Sequence, residues 1–204
     1  MFRLLGKIPE KPIVALSGGI DSMVLLDFMV RGKRKVSAAY FNHGTKYGAM
    51  CEGFLIEHCK KIGVELFLGK ISVDYTEKQN SDGGLENFWR THRYNFLNSF
   101  EGNVMTAHHL NDVAEWWVFS SLHGNGKMIP YSNKNIIRPF LMVDKSQIKQ
   151  WAEKHNVAYI DDPSNMDTKF RRNFIRHDLM PLALQVNPGL LTTLRKKYQN
   201  DISV

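Results

Sequence analysis

The stretch Ile13-Val14-Ala15-Leu16-Ser17-Gly18-Gly19-Ile20-Asp21-Ser22 runs a short apolar segment of strand character into two glycines, then into a helical pattern that continues to about Val30. Two adjacent glycines let a backbone turn tightly and approach a ligand without Cβ interference. The helix that opens next offers unpaired N–H groups and the positive end of its dipole, a combination that suits phosphate. Ser17 and Ser22 add hydroxyls to the same turn. Asp21 is out of place beside a bare anion, because a carboxylate repels phosphate unless a cation lies between them. It therefore points to a metal-bridged nucleotide. A glycine turn with a helix cap accounts for the same letters, and at this level both readings stand. A lysine-bearing phosphate loop is missing: Gly126-Lys127 is followed by Met128, and Ser121 stands where the first glycine of such a loop would be. A kinase-like or GTPase-like mechanism at the γ-phosphate is therefore not expected.

Outward from this turn the pattern alternates. Strand-like runs at 36–41, 64–68 and 103–107 are separated by helical runs at 49–62, from Leu85 onward (Leu85, Phe88, Trp89, His92, Phe96) and at 111–122. Gly63 sits where a helix C-terminal glycine belongs, and the polar stretch 74–84 reads as a surface loop. Such alternation predicts βαβ units, hence an α/β fold with a Rossmann-like parallel sheet flanked by helices. In such sheets ligands bind beyond the C-terminal strand ends, where the polar clusters after Leu16, Phe41 and Ala107 fall. Beyond Pro139 the pattern changes to a helix at 144–155, a polar turn and basic helical segments. This predicts a division into a nucleotide-binding catalytic part, 1–140, and a small helical segment, 141–204, that completes the site and contacts a nucleic acid.

Composition narrows the class further. With 43% hydrophobic and 23% charged residues in 204, the chain is an ordinary globular protein rather than a fibre or a disordered tail. The balance of 27 Lys+Arg against 20 Asp+Glu, a net +7, favours a polyanionic partner through phosphate attraction. The charged opening Met1-Phe2-Arg3 does not read as a secretory signal, and no apolar run is long enough to span a membrane. These features predict a cytoplasmic protein with no membrane partner, and leave its oligomeric state open. Cys51 and Cys59 lie two helical turns apart, about 12 Å and beyond disulfide reach; repeating with Leu55 and Ile62, they read as core thiols.

Two further constellations carry chemistry. In Ala107-His108-His109-Leu110-Asn111-Asp112-Val113-Ala114-Glu115 the two acids share a helix face, and His108 joins them if the helix extends back that far. An imidazole with two carboxylates at a strand end can hold a metal or position a nucleophile, although a polar helix start is an equally plain reading. Asp162-Pro163-Ser164-Asn165 is followed by Lys169, Arg171, Arg172, Asn173 and Arg176. Arg172 and Arg176 lie one helical turn apart and form a pair suited to phosphates, or a solvated basic face. The clusters Lys33-Arg34-Lys35, Arg90 with Arg93, and Arg195-Lys196-Lys197 read singly as solvated faces. Trp117 falls on an apolar stripe with Leu110, Val113 and Ala114, whereas Trp116 lies off it. Zinc patterns such as His-Glu-x-x-His are missing.

The loop Ser17-Gly18-Gly19-x-Asp21-Ser22 resembles that of the PP-loop ATP pyrophosphatases (adenine nucleotide alpha hydrolase-like), which adenylate an oxygen and release pyrophosphate. With Phe41-Asn42-His43-Gly44, Arg90-x-x-Arg93-Tyr94, Ala107-His108-His109-x-x-Asp112-x-x-Glu115, Arg138-Pro139 and the Asp162 to Arg176 motif, the chain resembles the tRNA(Ile)-lysidine synthetase family from about Ile13 to Leu182. That resemblance implies ATP and Mg²⁺ as cofactors, with tRNA(Ile) bearing a CAU anticodon and free lysine as partners. ATP would activate the C2 oxygen of the wobble cytidine, and lysine would displace AMP to leave lysidine. It further implies that Ser17, Gly18, Gly19, Ile20, Asp21 and Ser22 bind the nucleotide, with Asp21 a possible Mg²⁺ ligand. His108, Asp112 and Glu115 would line the reaction site and orient the amine, while Arg172 and Arg176 neutralise phosphate. Arg93, His43 and Asn173 would contact substrate. His123 and Lys46 stand where the family usually has arginine. Larger members carry a C-terminal extension that helps recognise tRNA, and only a short basic helix follows Pro188, so the chain reads as a short form. The alternatives are tRNA thiolation, which usually comes with paired thiols, a small-molecule amide ligase, and a non-catalytic RNA-binding relative.

Overall fold

Strand β1 (Ile13–Leu16) is the centre around which the sheet is built. The computed structural model describes residues 1–71, 84–161 and 171–201. The Asp162-Pro163-Ser164-Asn165 turn, Lys169 and the loop expected at 74–84, except Gly84, lie outside the described residues. β1 pairs in parallel with β2 (Ser37–Asn42) on one side and β4 (Val104–Met105) on the other, and β2 pairs in parallel with β3 (Leu66–Lys70). Successive β1 side chains alternate between faces. Val14 and Leu16 enter a core with Met23, Leu26, Leu55 and Phe140, while Ile13 and Ala15 pack with Leu97, Val104 and Ile136 on the other face. Both faces are covered, which is why these strands read as continuous apolar runs.

Helix α1 (Ile20–Arg31) leaves the loop after β1 and buries Met23, Val24, Leu25, Leu26 and Met29. Helix α2 (Lys46–Ile62) begins where the Thr45 hydroxyl accepts the Gly48 N–H, and stops at Gly63 in the left-handed conformation, φ +69°. Cys51 and Cys59 are buried on its inner face with Leu55, and burial pushes the Cys59 thiol up to about 11. Helix α3 (Gly84–Asn98) precedes β4, and α4 (Leu110–Leu122) follows it. Gly84 is thus the first residue of a helix rather than the end of a loop. Trp116 is exposed and Trp117 packs into the core formed around Leu110 and Val113, as their places on the helix predict.

The sheet is not wholly parallel. A short hairpin, β5 (Ser132–Asn133) and β6 (Ile136–Ile137), follows α4; β6 joins β4 in parallel and β5 closes the edge antiparallel, in the order β3-β2-β1-β4-β6-β5. Helix α5 (Lys145–His155) starts in a capping box between Asp144 and Gln147. It packs on α1, where Trp151 Nε1 donates to Asp27 at 2.8 Å among the rings of Phe2, Phe28 and Phe140. The rest is helical: α6 (Arg171–Phe174), a π-helical stretch Ile175–Leu179, α7 (Met180–Val186) and α8 (Leu190–Asp201). Leu190, Leu194 and Tyr198 of α8 share a core with Leu110, Val113 and Ala114 of α4. Among the described residues no helix is long and apolar enough to cross a membrane.

Strand order opens a gap at one end of the sheet. The chain leaves β1 toward β2 on one side and later returns to β4 on the other, which makes the space beyond the C-terminal ends of β1 and β4 the switch point of the sheet. The Ser17 to Ser22 loop and the His108 to Glu115 segment both emerge there.

Candidate functional site

The loop after β1 is shaped by its own hydroxyls. Ser22 Oγ accepts the Ser17 N–H at 3.1 Å and donates to the Gly19 carbonyl at 3.0 Å, and Ser17 Oγ lies 3.2 Å from it. Gly18 adopts φ +80°, and a Cβ there would fall 3.1 Å from Cys51 Sγ, so the residue is glycine for both backbone and space. Gly19 caps α1 without a side-chain hydrogen bond. The helix therefore starts with backbone donors that no cap side chain takes up.

Asp21 lies in the first turn of α1. Its Oδ1 accepts Lys145 Nζ at 2.5 Å and lies 3.6 Å from His109 Nε2. Burial raises the Asp21 pKa, but the hydrogen bond and charge of His109, with Lys145, outweigh it and hold the carboxyl below its ordinary value. Lys145 opens α5, and its backbone N–H is tied to Asn111 Oδ1 at 2.9 Å. That bond fixes the cation's helix to the start of α4.

His109 is the hub of the site. Fully buried, it caps α4 by accepting the Asp112 N–H on Nδ1 at 3.3 Å, while Asp112 Oδ2 accepts the His109 N–H at 2.9 Å. With Nδ1 an acceptor, Nε2 carries the hydrogen that faces Asp21, a tautomer assigned from this network. Burial lowers the His109 pKa, and Asp112 and Asp21 more than reverse that. The helix does not extend back to His108, since the cap lies between them. His108 nevertheless reaches the cavity, with Nδ1 2.9 Å from Thr106 Oγ1.

Asp112 and Glu115 share the inner face of α4, both buried, and both are already paired. Arg172 Nη2 meets Asp112 Oδ1 at 2.8 Å, and Arg176 Nη2 meets the same oxygen at 3.1 Å. Arg176 also grips Glu115 in a fork, Nε to Oε1 at 2.8 Å and Nη2 to Oε2 at 3.0 Å. Burial raises the Asp112 pKa, but His109, Arg172 and His108 hold it well below the usual carboxylate range. The two arginines do face one way, although the backbone passes from α-helix to π-helix between them.

Most of these groups line one cavity of about 970 Å³, near the upper end of the range for small-molecule sites, while Gly18, His109 and Glu115 are not among its lining residues. Ser17, Gly19, Ile20, Asp21, Ser22, Arg93, His108, Asp112, Arg172, Asn173 and Arg176 all contribute to its wall. His43 is not among its lining residues; its ring lies between Phe41 and Trp89, with centroids 5.3 and 5.6 Å away. His109 and Lys145 carry no sequence signal of a site: one reads as an extra histidine and the other as a residue after a helix cap. Among the described residues, no group of three or more His, Cys, Asp and Glu side chains is placed to hold a metal ion.

His108 yields a pH prediction. Burial first, then the charges of Arg172, Arg138 and Arg93, against the pull of Asp112, push its pKa down to about 3. A depressed histidine pKa means that the unfolded chain binds the proton first. Stability from this group is therefore full above about pH 6.5 and falls as pH drops toward 3, with a slope approaching about 1.4 kcal/mol per pH unit. Denaturant midpoints measured from pH 8 to 4 are expected to show this slope, and the His108→Gln variant to lose it; an identical slope in both would place the titration elsewhere.

A parallel α/β domain with a glycine loop at its switch point, an uncapped helix start above it and a mixed cluster of carboxylates and cations around the cavity is a nucleotide-handling domain. Residues 4–183 match the family model described as the PP-loop domain, and the chain belongs to that family of ATP-using domains. It is 35% identical over 193 residues to the tRNA(Ile)-lysidine synthase of Thermosipho africanus, covering 88% of this chain and 45% of that protein. It is 32% identical over 210 residues to the protein of the same name from Staphylococcus aureus, covering 94% and 48%. The chain thus spans about half the length of the curated relatives it matches. In structure it is similar to the NH3-dependent NAD synthetase of Campylobacter jejuni, with TM-score 0.53, 20% identity, and coverage of 96% of this chain and 86% of that one. It is also similar to the glutamine-dependent NAD⁺ synthetase of Acinetobacter baumannii in complex with ADP, with TM-score 0.50, 19% identity, and coverage of 72% and 29%. Both show the fold.

Proposed function

We propose that the chain catalyses ATP-dependent ligation of lysine to the wobble cytidine of a tRNA(Ile) with a CAU anticodon, forming lysidine in the cytoplasm. The observation that carries this reading is the convergence on one cavity of the loop carboxylate Asp21 with Asp112, Arg172 and Arg176, the last of them held by Glu115. The relatives named tRNA(Ile)-lysidine synthase support the choice of substrate, and the net +7 suits a polyanion.

The reaction has two displacements. The cytidine C2 oxygen attacks the α-phosphorus of ATP and pyrophosphate leaves; the lysine ε-amine then attacks C2 and AMP leaves, with one proton lost from the amine. Neither step needs a covalent enzyme nucleophile, so the protein's task is positioning and charge stabilisation. The N–H groups at the α1 start hold the pyrophosphate portion. Lys145, now on Asp21, is within reach of the same phosphates. Mg²⁺ usually takes one or two carboxylates and completes its shell with phosphate and water. Asp21, with its side chain about a third exposed, fits that requirement as a single ligand. When bound, the ion would neutralise charge on the leaving pyrophosphate.

The arginine–acid pairs refine the roles of the second constellation. Arg172 and Arg176 cannot neutralise phosphate while they hold Asp112 and Glu115. Binding of nucleotide and lysine together resolves this by an exchange of partners: the arginines turn to phosphate, and the two acids accept the lysine ammonium. His108, neutral at physiological pH, contributes hydrogen bonding without charge. Residues 1–140 supply the nucleotide loop and the acids, and 141–204 supply Lys145 and the arginines. Thiolation has no thiol to use, because Cys51 and Cys59 are buried in the core and neither lines the cavity.

The test is incubation with ATP, radiolabelled lysine and transcribed tRNAs of differing anticodon. Label is expected in the CAU tRNA alone, with AMP and pyrophosphate released in equal amounts. Incorporation into no tRNA, or ATP turnover that needs no RNA, would overturn the assignment.

A further inference from the structure

A second, smaller pocket of about 290 Å³ lies beside the active cavity, and its chemistry is different. Asn87, Arg90, Tyr94 and Asn98 form one wall along α3, and Asn133 and Lys134 form the other at the β5–β6 turn. The active cavity mixes four acids, Asp21, Asp112, Glu153 and Asp161, with basic residues that include Lys145, Arg172 and Arg176, whereas no residue lining the small pocket is acidic. Tyr94 lines both, so the two spaces are neighbours across one ring, with Arg93 on the active-site side.

Three features mark the pocket as built for a ligand. The Arg90 guanidinium lies over the Tyr94 ring, 4.6 Å from its centroid, which fixes a planar cation at the rim. Lys134 holds φ +52°, a left-handed turn position at which a lysine is strained by about 1–2 kcal/mol and where glycine or asparagine would be easier. The turn thereby keeps a second cation opposite the first. Among the described residues Asn98 Oδ1 is buried without a hydrogen-bond partner, an expensive state for an amide; burial raises the pKa of the Tyr94 phenol, but the surrounding charges of Arg90, Arg138 and Arg93 hold it below the ordinary value. Two cations for a phosphodiester, amides for a base edge, and a flat guanidinium for stacking are the elements with which proteins read an unstacked nucleotide of single-stranded RNA.

We propose that this pocket binds the nucleotide flanking the modified cytidine in the anticodon loop: its phosphate sits between Arg90 and Lys134 and its base edge faces the amides of the pocket wall, such as Asn95 and Asn133. The inference rests on the RNA substrate proposed above. It gives a strand crossing Tyr94 two points of attachment, one base in the active cavity and its neighbour here. In the catalytic cavity acids and cations nearly balance, and the pocket beside it adds two cations with no acid among its lining residues.

The experiment compares wild type with Lys134→Glu and Arg90→Ala, using lysine incorporation against tRNA concentration at several salt concentrations, and anisotropy with a labelled anticodon stem-loop RNA. Lys134 is exposed at a turn, so its variant is expected to keep the wild-type melting temperature, which covers the case in which Arg90→Ala unfolds α3. The KM for tRNA is expected to rise about tenfold in each variant, with kcat at saturating tRNA within about threefold. The salt slope of stem-loop binding should fall by about 0.7 per cation removed. A folded Lys134→Glu protein with wild-type KM and salt slope overturns the pocket's role. If wild type binds the stem-loop but incorporates no lysine, the catalytic assignment fails, and the change in salt slope still decides the pocket.

Discussion

Replacing Asp21 with alanine is expected to lower lysine-dependent AMP release about 10³-fold, equivalent to about 4 kcal/mol of transition-state stabilisation. The fold should survive, because the side chain is about a third exposed at the first turn of α1 and belongs to no apolar cluster. Its partners change more than its surroundings do. Lys145 and His109 lose the anion that both face, and Lys145 is freed to hold phosphate in the ground state. ATP should therefore bind as well as before or more tightly while turnover collapses, so the loss falls on kcat and not on the KM for ATP. Asp21→Asn separates charge from shape: it keeps the volume and one acceptor oxygen, and is expected to be as inactive as the alanine variant. A variant that retained a tenth of wild-type turnover would remove the carboxylate from the chemistry. The wild-type rate is expected to show no titration of Asp21 near neutrality, since its folded-state pKa is depressed and the group stays ionised throughout that range.

The parts of the fold legible in sequence were those whose signal is local. β1 and its glycine loop are visible because an apolar run meets Gly18-Gly19, and α2 ends where Gly63 supplies a left-handed residue. The hairpin at 132–137 was not legible: Ser132-Asn133-Lys134-Asn135 is polar, and its turn uses a strained lysine in place of glycine. The start of α4 was legible to within a residue, expected at Asn111 and found at Leu110, but the nature of its cap was not. Its cap is an imidazole nitrogen, a role ordinarily filled by serine, threonine or aspartate. Among the candidate site residues, Asp21, Asp112, Arg172 and Arg176 stand out as unusual charges near glycines and strand ends. What sequence spacing could not supply was who faces whom. His109 meets Asp21 because β4 lies beside β1, and Lys145 meets it because α5 packs on α1. Both contacts are products of strand order and helix packing, which no local window contains.

Arg176→Ala is the variant with the largest expected effect on stability. Arg176 makes a two-point contact with Glu115 and a third contact with Asp112, and both acids are buried. Removing one partner of a wholly buried pair costs about 3–5 kcal/mol, because the other charge remains desolvated. Here the guanidinium is 34% exposed and Arg172 still reaches Asp112, so about 2–3 kcal/mol is expected from chemical denaturation. The burden should fall mainly on Glu115, whose remaining cation, Arg172 Nε, lies 3.8 Å away. Adding Glu115→Gln to the Arg176→Ala background is then expected to restore at least half of the lost stability, since a neutral amide tolerates burial better than an unpaired carboxylate. Activity should not return with it, because the phosphate-facing cation is still absent. Acid titration tests the same pairing independently. Asp112 has a depressed folded-state pKa, so its contribution is fully present above about pH 4 and is lost as pH falls below that. Arg176 is one of the charges near it, so the gap between wild type and Arg176→Ala should be widest at neutral pH and narrow in acid. A gap that stayed constant from about pH 7 to 3, or a double variant no more stable than the single one, would show that the arginine stabilises by packing and not by pairing with the acids.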